Sequence, residues 1–298
     1  MANIKHLTKL RQSSQALTEW SDRNRAIAVD LTHANLSSAN LSGIELAKAN
    51  LSYANLCDAE LMETSLSAAN LEFAELINAN LCDSNLSNAN LRSAYLIDAD
   101  LSNANLIGAD LRSANCRRVN LFRANLIGTS MRKVNLAEAN LIEAKLSRTN
   151  LSEANLTSAH FNQADLAMAN FYQAESQSAN FYRANLYRVR AIASHLSKSY
   201  FFGANLAEIE GIRSDFRWSN LSYANLRDAN LQRANLRGAN LTRADLKGAN
   251  LQRANLRGVN FIKADLRGAN LQDANIENAI FDKALLQSTI MPDGTKHF

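Results

Sequence analysis

Proline, cysteine and histidine are all scarce in this chain. Its 298 residues include one proline, three cysteines, five histidines and ten glycines. With one proline and no Gly- or Ser-rich stretch there is no candidate linker, so we expect one continuous repeat domain.

Three scattered cysteines (Cys57, Cys82 and Cys116) cannot form a disulfide framework. Cys116 is expected in the core. The N-terminal segment is too polar for a signal peptide or membrane anchor, so we predict a cytoplasmic protein without membrane contact.

Motifs that carry catalytic chemistry are also absent from the sequence. There is no P-loop, no G-x-G-x-x-G, no C-x-x-C and no H-E-x-x-H, and the histidines are scattered. We therefore expect no enzyme activity, no cofactor and no metal site.

What the chain does contain is one five-residue repeat. From Leu31 to Leu286, about 52 positions at intervals of five are nearly all large and apolar, and roughly 39 are leucine. We name this position i. Alanine is usual at i−2 and asparagine or aspartate at i−1, whereas i+1 and i+2 vary and carry most of the charge. Only Ser176, Ala191 and Gly211 are clearly small or polar at position i.

A period of five suits neither regular element. On an α-helix, successive leucines would lie about 140° apart and scatter round all sides. On a flat strand, an odd spacing would send alternate leucines to opposite faces. A chain that bends once per repeat brings every leucine to one axis, and asparagine suits such a bend.

The phenylalanines indicate how many repeats make one coil. Phe161, Phe181 and Phe201 are 20 residues apart, as are Phe261 and Phe281. Four repeats per coil would stack them in one column. The small residues at position i occur in the same coils as extra phenylalanines, as close packing requires.

The motif A-(N/D)-L-x-x, as in residues 49–53 and 234–238, resembles that of the pentapeptide-repeat family, over about residues 31–290. The resemblance implies an all-β fold, a right-handed quadrilateral β-helix, here of about 13 coils at four repeats each. The ending at residues 290–295 is similar to endings of many cyanobacterial members, which indicates a cyanobacterial type.

The two ends depart from the repeat. Apolar residues in the segment 1–25 follow a helical spacing, which predicts a short helix that either caps the first coil or binds a partner. The repeat domain is placed at 26–290. Residues 291–298 are predicted as a turn and tail, since Pro292, Asp293 and Gly294 favour a tight turn. Exposed sheet edges at the terminal coils would invite end-to-end homo-association.

Charge is unevenly distributed along the chain. Residues 30–110 hold 2 basic and 11 acidic residues, a net of −9, whereas residues 217–270 hold 10 and 3, a net of +7. At a spacing of 20 the basic residues align in columns, which are candidate polyanion sites. The predicted basic columns contain Arg217, Arg227, Arg233, Arg237, Arg243, Lys247, Arg253, Arg257 and Arg267.

Aromatic and aliphatic residues gather at outward positions in the middle of the chain. Contiguous exposed apolar groups indicate a contact surface, and tyrosine is common at interfaces. The predicted protein-interaction patch contains Phe122, Ile142, Tyr172, Tyr182, Ile192, Tyr200, Phe202, Ile212 and Tyr223.

These features favour a non-enzymatic protein–protein interaction scaffold of the kind that regulatory proteins use, with an unidentified protein partner. One alternative comes from the resemblance, because some family members bind DNA gyrase as DNA mimics. The positive net charge of +4 departs from that pattern. Polyanion or nucleic-acid binding by the basic C-terminal coils is a second alternative, and a structural rod without a specific ligand is a third.

Overall fold

The computed structural model describes residues 3, 5, 6, 8 and 29–297. The chain divides into two compact units, an N-terminal unit (Met1–Thr149) and a C-terminal unit (Asn150–Phe298). The predicted helix over 1–25 lies outside the described residues except at Asn3, Lys5, His6 and Thr8, of which the last three are helical. Within the described residues, no helix is long and apolar enough to cross a membrane.

Both units are built from single-residue parallel bridges between residues 20 apart. In the N-terminal unit they run from Asp30↔Asn50 to Asn125↔Lys145, and in the C-terminal unit from Asn150↔Asn170 to Asn270↔Ile290. The bridging residue is always the one at i−1. Since it recurs every five residues but pairs at 20, each coil contains four repeats, which confirms the expected coil.

Backbone hydrogen bonds explain why the repeat closes in this way. In the repeat at Leu31, the Leu31 amide donates to Asn50 O (2.7 Å) and the His33 amide to Ser52 O (3.0 Å), both in the next coil. Within the repeat, the Ala34 amide donates to Leu31 O (2.9 Å) and closes a turn. Within the described repeats, most backbone groups are thereby paired without any extended strand.

The turn forces an unusual backbone conformation at i+2. All 52 residues at this position have a positive φ, and 44 of them are not glycine. Most L-residues avoid this left-handed region, and β-branched residues avoid it most. Valine, isoleucine and threonine are accordingly absent from i+2, and eight of the ten glycines stand there.

Asparagine at i−1 makes two kinds of hydrogen bond. Its Oδ1 accepts from the backbone amide two residues later, as from Glu72 to Asn70 (3.2 Å). Its Nδ2 donates to the asparagine of the preceding coil, as from Asn90 to Asn70 (2.9 Å). The first bond fixes the bend and the second joins adjacent coils.

The core contains the residues at i and i−2. Nearly all of these leucines and alanines are buried. The ring centroids of Phe161 and Phe181 are 5.0 Å apart, those of Phe181 and Phe201 4.8 Å apart, and those of Phe261 and Phe281 5.1 Å apart, all stacked. The predicted phenylalanine column is therefore confirmed.

The small residues in the core make room for neighbouring rings. A Cβ at Gly211 would lie 2.8 Å from Leu231 Cδ2 and 3.6 Å from Phe216 Cε2, so Phe216 and Leu231 already occupy the space that a side chain would need. Cys116 is buried as expected, and burial raises the pKa of its thiol to about 12.

Described residues at both ends contact the terminal coils. The Asn3 amide donates to Asp30 O (3.2 Å), and the Asp30 amide donates to Nδ1 of the buried His6 (2.9 Å). At the other end the chain turns at Pro292 and Asp293, and Lys296 forms an antiparallel bridge with Ile290. These contacts cover part of the backbone edge at each end.

Candidate protein-interaction surface

Four aromatic side chains form a contacting group on the outside of the C-terminal unit, which we name the aromatic cluster (Tyr182, Tyr200, Phe202 and Tyr223). The Phe202 ring centroid lies 6.0 Å from Tyr182, 6.1 Å from Tyr200 and 5.1 Å from Tyr223. Tyr200 is 38% exposed and Tyr223 is 48% exposed, whereas Tyr182 and Phe202 are half-buried. Because the rings hold each other in place, the cluster presents a preorganised apolar surface.

The repeat geometry explains this arrangement. Tyr182 and Phe202 both stand at i+1, one coil apart. Tyr200 stands at the adjoining i−1 position and forms β-bridges with Asn180 and Asn220. Tyr223 stands at i+2 of the next coil, where its backbone has a positive φ. Residues that are distant in sequence are thus neighbours on one side of the coil.

Arginines flank the cluster and lie over two of its rings. Arg183 Cζ lies 5.2 Å from the Tyr182 centroid, and Arg243 Cζ lies 5.4 Å from that of Tyr223. Arg243 Nη1 also donates to the Tyr223 hydroxyl (2.9 Å). Such cation–π contacts contribute about 0.5–1 kcal/mol each at exposed sites, so they orient the rings without burying them.

The other residues of the predicted patch occupy different places. Ile192 and Ile212 are half-buried at i+1 on another side of the C-terminal unit, where they line a groove with polar residues. Tyr172 is half-buried, and the Arg190 guanidinium lies 5.7 Å from its ring. Phe122 and Ile142 are half-buried in the N-terminal unit.

Most of the predicted basic columns are engaged by neighbouring groups. Arg217 pairs with Asp215 (2.7 Å), Arg227 with Asp245 (3.6 Å), Arg253 with Asp273 (3.3 Å) and Arg257 with Glu277 (3.1 Å). Lys247 and Arg267 both bind Asp265, at 2.8 and 2.7 Å. Arg237 lies over the Trp218 ring at 5.9 Å. Among the residues named for these columns, Arg233 has no ion pair, side-chain hydrogen bond or cation–π contact in the described part of the chain.

Sequence reasoning missed a second group of exposed rings, in the N-terminal unit. The rings of His33, Tyr53 and Phe73 stack at centroid distances of 4.8 and 5.0 Å. Tyr53 is 51% exposed and Phe73 is 38% exposed. The signal was available, since the three residues are 20 apart at i+2.

Coils of four five-residue repeats around a leucine core define a β-helical repeat protein. The family model for pentapeptide repeats (eight copies) matches residues 27–61, 64–103, 99–136, 135–173, 212–248 and 249–287. The chain belongs to the pentapeptide-repeat family, whose members form right-handed quadrilateral β-helices. A search of curated proteins found no significant match.

Solved structures of the same family resemble the chain. HetL, a pentapeptide repeat protein involved in heterocyst differentiation regulation in the cyanobacterium Nostoc sp. strain PCC 7120, is 29% identical, with a TM-score of 0.23 over 94% of this chain and 98% of HetL. Rfr23 from the cyanobacterium Cyanothece 51142 is 30% identical, with a TM-score of 0.13 over 42% and 59%. QnrB1, a plasmid-mediated fluoroquinolone resistance protein, is 16% identical, with a TM-score of 0.29 over 64% and 88%.

Proposed function

We propose that the chain is a non-enzymatic scaffold that binds a protein partner through the aromatic cluster. The observation that carries this proposal is the contact of four outward rings, two of them more than a third exposed, on a repeat surface that is otherwise mainly polar. Rigid aromatic side chains lose little conformational entropy on binding and are frequent in the centre of interfaces.

The flanking arginines define the chemistry of the partner surface further. Arg183 and Arg243 already lie over aromatic rings, and neither has a carboxylate partner within the described residues. A partner that places an apolar side chain on the rings and carboxylates at the rim would satisfy both kinds of group. A regulatory role would depend on binding such a partner.

A capture experiment with three immobilised baits tests the proposal. The baits are the wild type, a Tyr182→Ser/Phe202→Ser variant, and a Tyr53→Ser/Phe73→Ser control that removes two exposed rings elsewhere. We expect quantitative mass spectrometry to show one or more proteins retained by wild type and control, and reduced at least about tenfold by the cluster variant. Thermal unfolding must show that both variants fold. An identical set of captured proteins on all three baits would contradict the proposal.

A further inference from the structure

A second surface of the C-terminal unit has the composition of a ligand site. It is an open groove of about 310 Å³ lined by two adjoining columns of side chains, one coil apart within each column. The column at i+1 contains Ile192, Ile212, Gln232, Gln252 and Gln272, and the column at i+2 contains Arg213, Arg233, Arg253 and Asp273.

The arginines of the groove differ in how they are neutralised. Arg253 pairs with Asp273 (3.3 Å), and both residues line the groove. Arg213 and Arg233 are exposed, and among the described residues their guanidinium groups have neither an ion pair nor a hydrogen bond. Nearby basic residues at i+1 such as Arg217 and Arg267 do find carboxylates (2.7 Å each). The groove therefore contains two adjacent cations that the described part of the chain leaves unpaired.

The glutamines give the groove a fixed polar floor. Gln232 Nε2 donates to Gln252 Oε1 (3.1 Å), and Gln252 Nε2 donates to Gln272 Oε1 (3.3 Å). This ladder holds three amides in register and leaves Gln232 Oε1 as an acceptor and Gln272 Nε2 as a donor. Beyond Gln232 the floor becomes apolar, because Ile192 and Ile212 continue the same column.

These groups select the class of ligand. Two unpaired guanidinium groups favour two carboxylates or phosphates, and the isoleucines favour an apolar side chain at one end. No aromatic ring is among the residues that line the groove, whereas single-stranded nucleic acid is usually bound by stacking on such rings. The backbones of successive arginines in the column are one coil spacing apart, about 4.8 Å, whereas alternate residues of an extended peptide are roughly 6.6 Å apart. Long arginine side chains can span this difference.

We propose that this groove binds an extended acidic segment of a partner protein, with carboxylates on Arg213 and Arg233 and an apolar side chain on Ile192 and Ile212. The groove shares no residue with the aromatic cluster. The two sites can therefore be tested separately, although both assume that the ligand is a protein.

Fluorescence anisotropy with a synthetic probe tests this site. The probe is a fluorescein-labelled octapeptide with two isoleucines followed by glutamate and serine in alternation, measured at low salt. We expect saturable binding that weakens about tenfold or more in Arg213→Gln/Arg233→Gln. The matched control, Arg227→Gln/Arg257→Gln, removes the same charge from ion-paired arginines and is expected to stay within about twofold of wild type. Tyr182→Ser/Phe202→Ser is expected to bind the peptide normally, which separates this site from the aromatic cluster.

Three outcomes would overturn the proposal. Equal weakening by both arginine pairs would mean that the peptide senses only the overall charge. Tighter binding of an octamer of oligothymidylate than of the peptide would assign the groove to nucleic acid. No anisotropy change up to about millimolar peptide would leave the groove without this ligand.

Discussion

Ser176 occupies a leucine position in the core, and its hydroxyl is buried without a hydrogen-bond partner among the described residues. Ser199, one coil further on, is also buried, but its Oγ donates to Ser176 O (2.6 Å). The two serines therefore differ in one respect that matters for stability. A buried polar group without a partner destabilises the folded state, whereas a hydrogen-bonded one stabilises it.

We expect Ser176→Ala to raise the free energy of unfolding by about 1 kcal/mol, because it removes the unpaired hydroxyl. Ser199→Ala is expected to lower it by about 1 kcal/mol, because it removes a formed hydrogen bond. Chemical denaturation of both variants measures the two changes. Destabilisation of equal size in both would show that the Ser176 hydroxyl is satisfied in solution.

The backbone at i+2 provides a second test on single residues. Ala68 is exposed and has a φ of 55°, whereas Ala47 stands at i+1 of the preceding coil and does not have a positive φ. Because a β-branched side chain clashes in the left-handed region, we expect Ala68→Val to cost about 1–2 kcal/mol. Ala47→Val, the same change at position i+1, is expected to alter the free energy of unfolding by no more than about 0.5 kcal/mol. Thermal unfolding checks both, and similar costs at the two sites would exclude the backbone as the cause.

At the scale of the repeat, carboxylates at i−1 tie adjacent coils together through basic residues. Asp265 accepts from Arg267 Nε (2.9 Å) in its own repeat and from Lys247 Nζ (2.8 Å) in the preceding coil. Hydrogen bonds from Arg267 and then Lys247 outweigh the effect of partial burial and hold the pKa of Asp265 well below its ordinary value.

This depressed pKa predicts a dependence of stability on pH. The unfolded chain binds a proton at Asp265 more readily than the folded chain. The stabilisation that ionised Asp265 gives to the fold is therefore fully present above the unfolded pKa of about 3.9. It is lost as the pH falls from there toward the lower folded pKa. We therefore expect wild type to lose more stability than Asp265→Asn between about pH 5 and pH 2.

Denaturation curves across this pH range measure the difference, with Asp282→Asn as the control. Asp282 is exposed and makes no ion pair or side-chain hydrogen bond among the described residues. This control variant is expected to follow the wild-type pH profile. If Asp265→Asn follows it as well, the ion-pair cluster does not stabilise the fold.

The repeat unit was largely predictable from sequence, and the side-chain partners were only partly so. The spacing of Phe161, Phe181 and Phe201 was enough to predict four repeats per coil, because stacking at 20 residues depends only on the period. The positive φ at i+2 was not predicted, although the absence of β-branched residues there is its signature. Neutralisation of Arg217 and Arg267 by aspartates two residues earlier was also not predicted, because a spacing of 20 aligns residues between coils and contains no information on contacts within a repeat.

The candidate surfaces were harder to predict because they depend on contacts between coils. The predicted patch contained Tyr182, Tyr200, Phe202 and Tyr223, which lie on adjoining positions of successive coils, together with five residues that lie elsewhere. Whether neighbouring columns share a surface depends on side-chain direction, which a periodicity of 20 does not provide. For that reason the groove beside Ile212 is evident only in the structure.

Across the whole molecule, the 20-residue coil is the unit in which columns stay aligned. Removal of residues 171–190 deletes four complete repeats and would stack Phe201 directly on Phe161, as Phe181 is now (5.0 Å). Removal of residues 171–180 deletes two repeats and keeps the five-residue register. It would rotate all later repeats by half a coil and place Ala191 above Phe161.

We therefore expect the 20-residue deletion to unfold cooperatively with a midpoint close to that of wild type, because stability in repeat proteins is roughly a sum over repeats and their interfaces. The 10-residue deletion, although shorter, is expected to be less stable, since it separates Phe161 from Phe181 and leaves space beside Ala191. Circular dichroism during thermal unfolding compares the two. Equal midpoints would mean that the alignment of columns across the deletion contributes little to the fold.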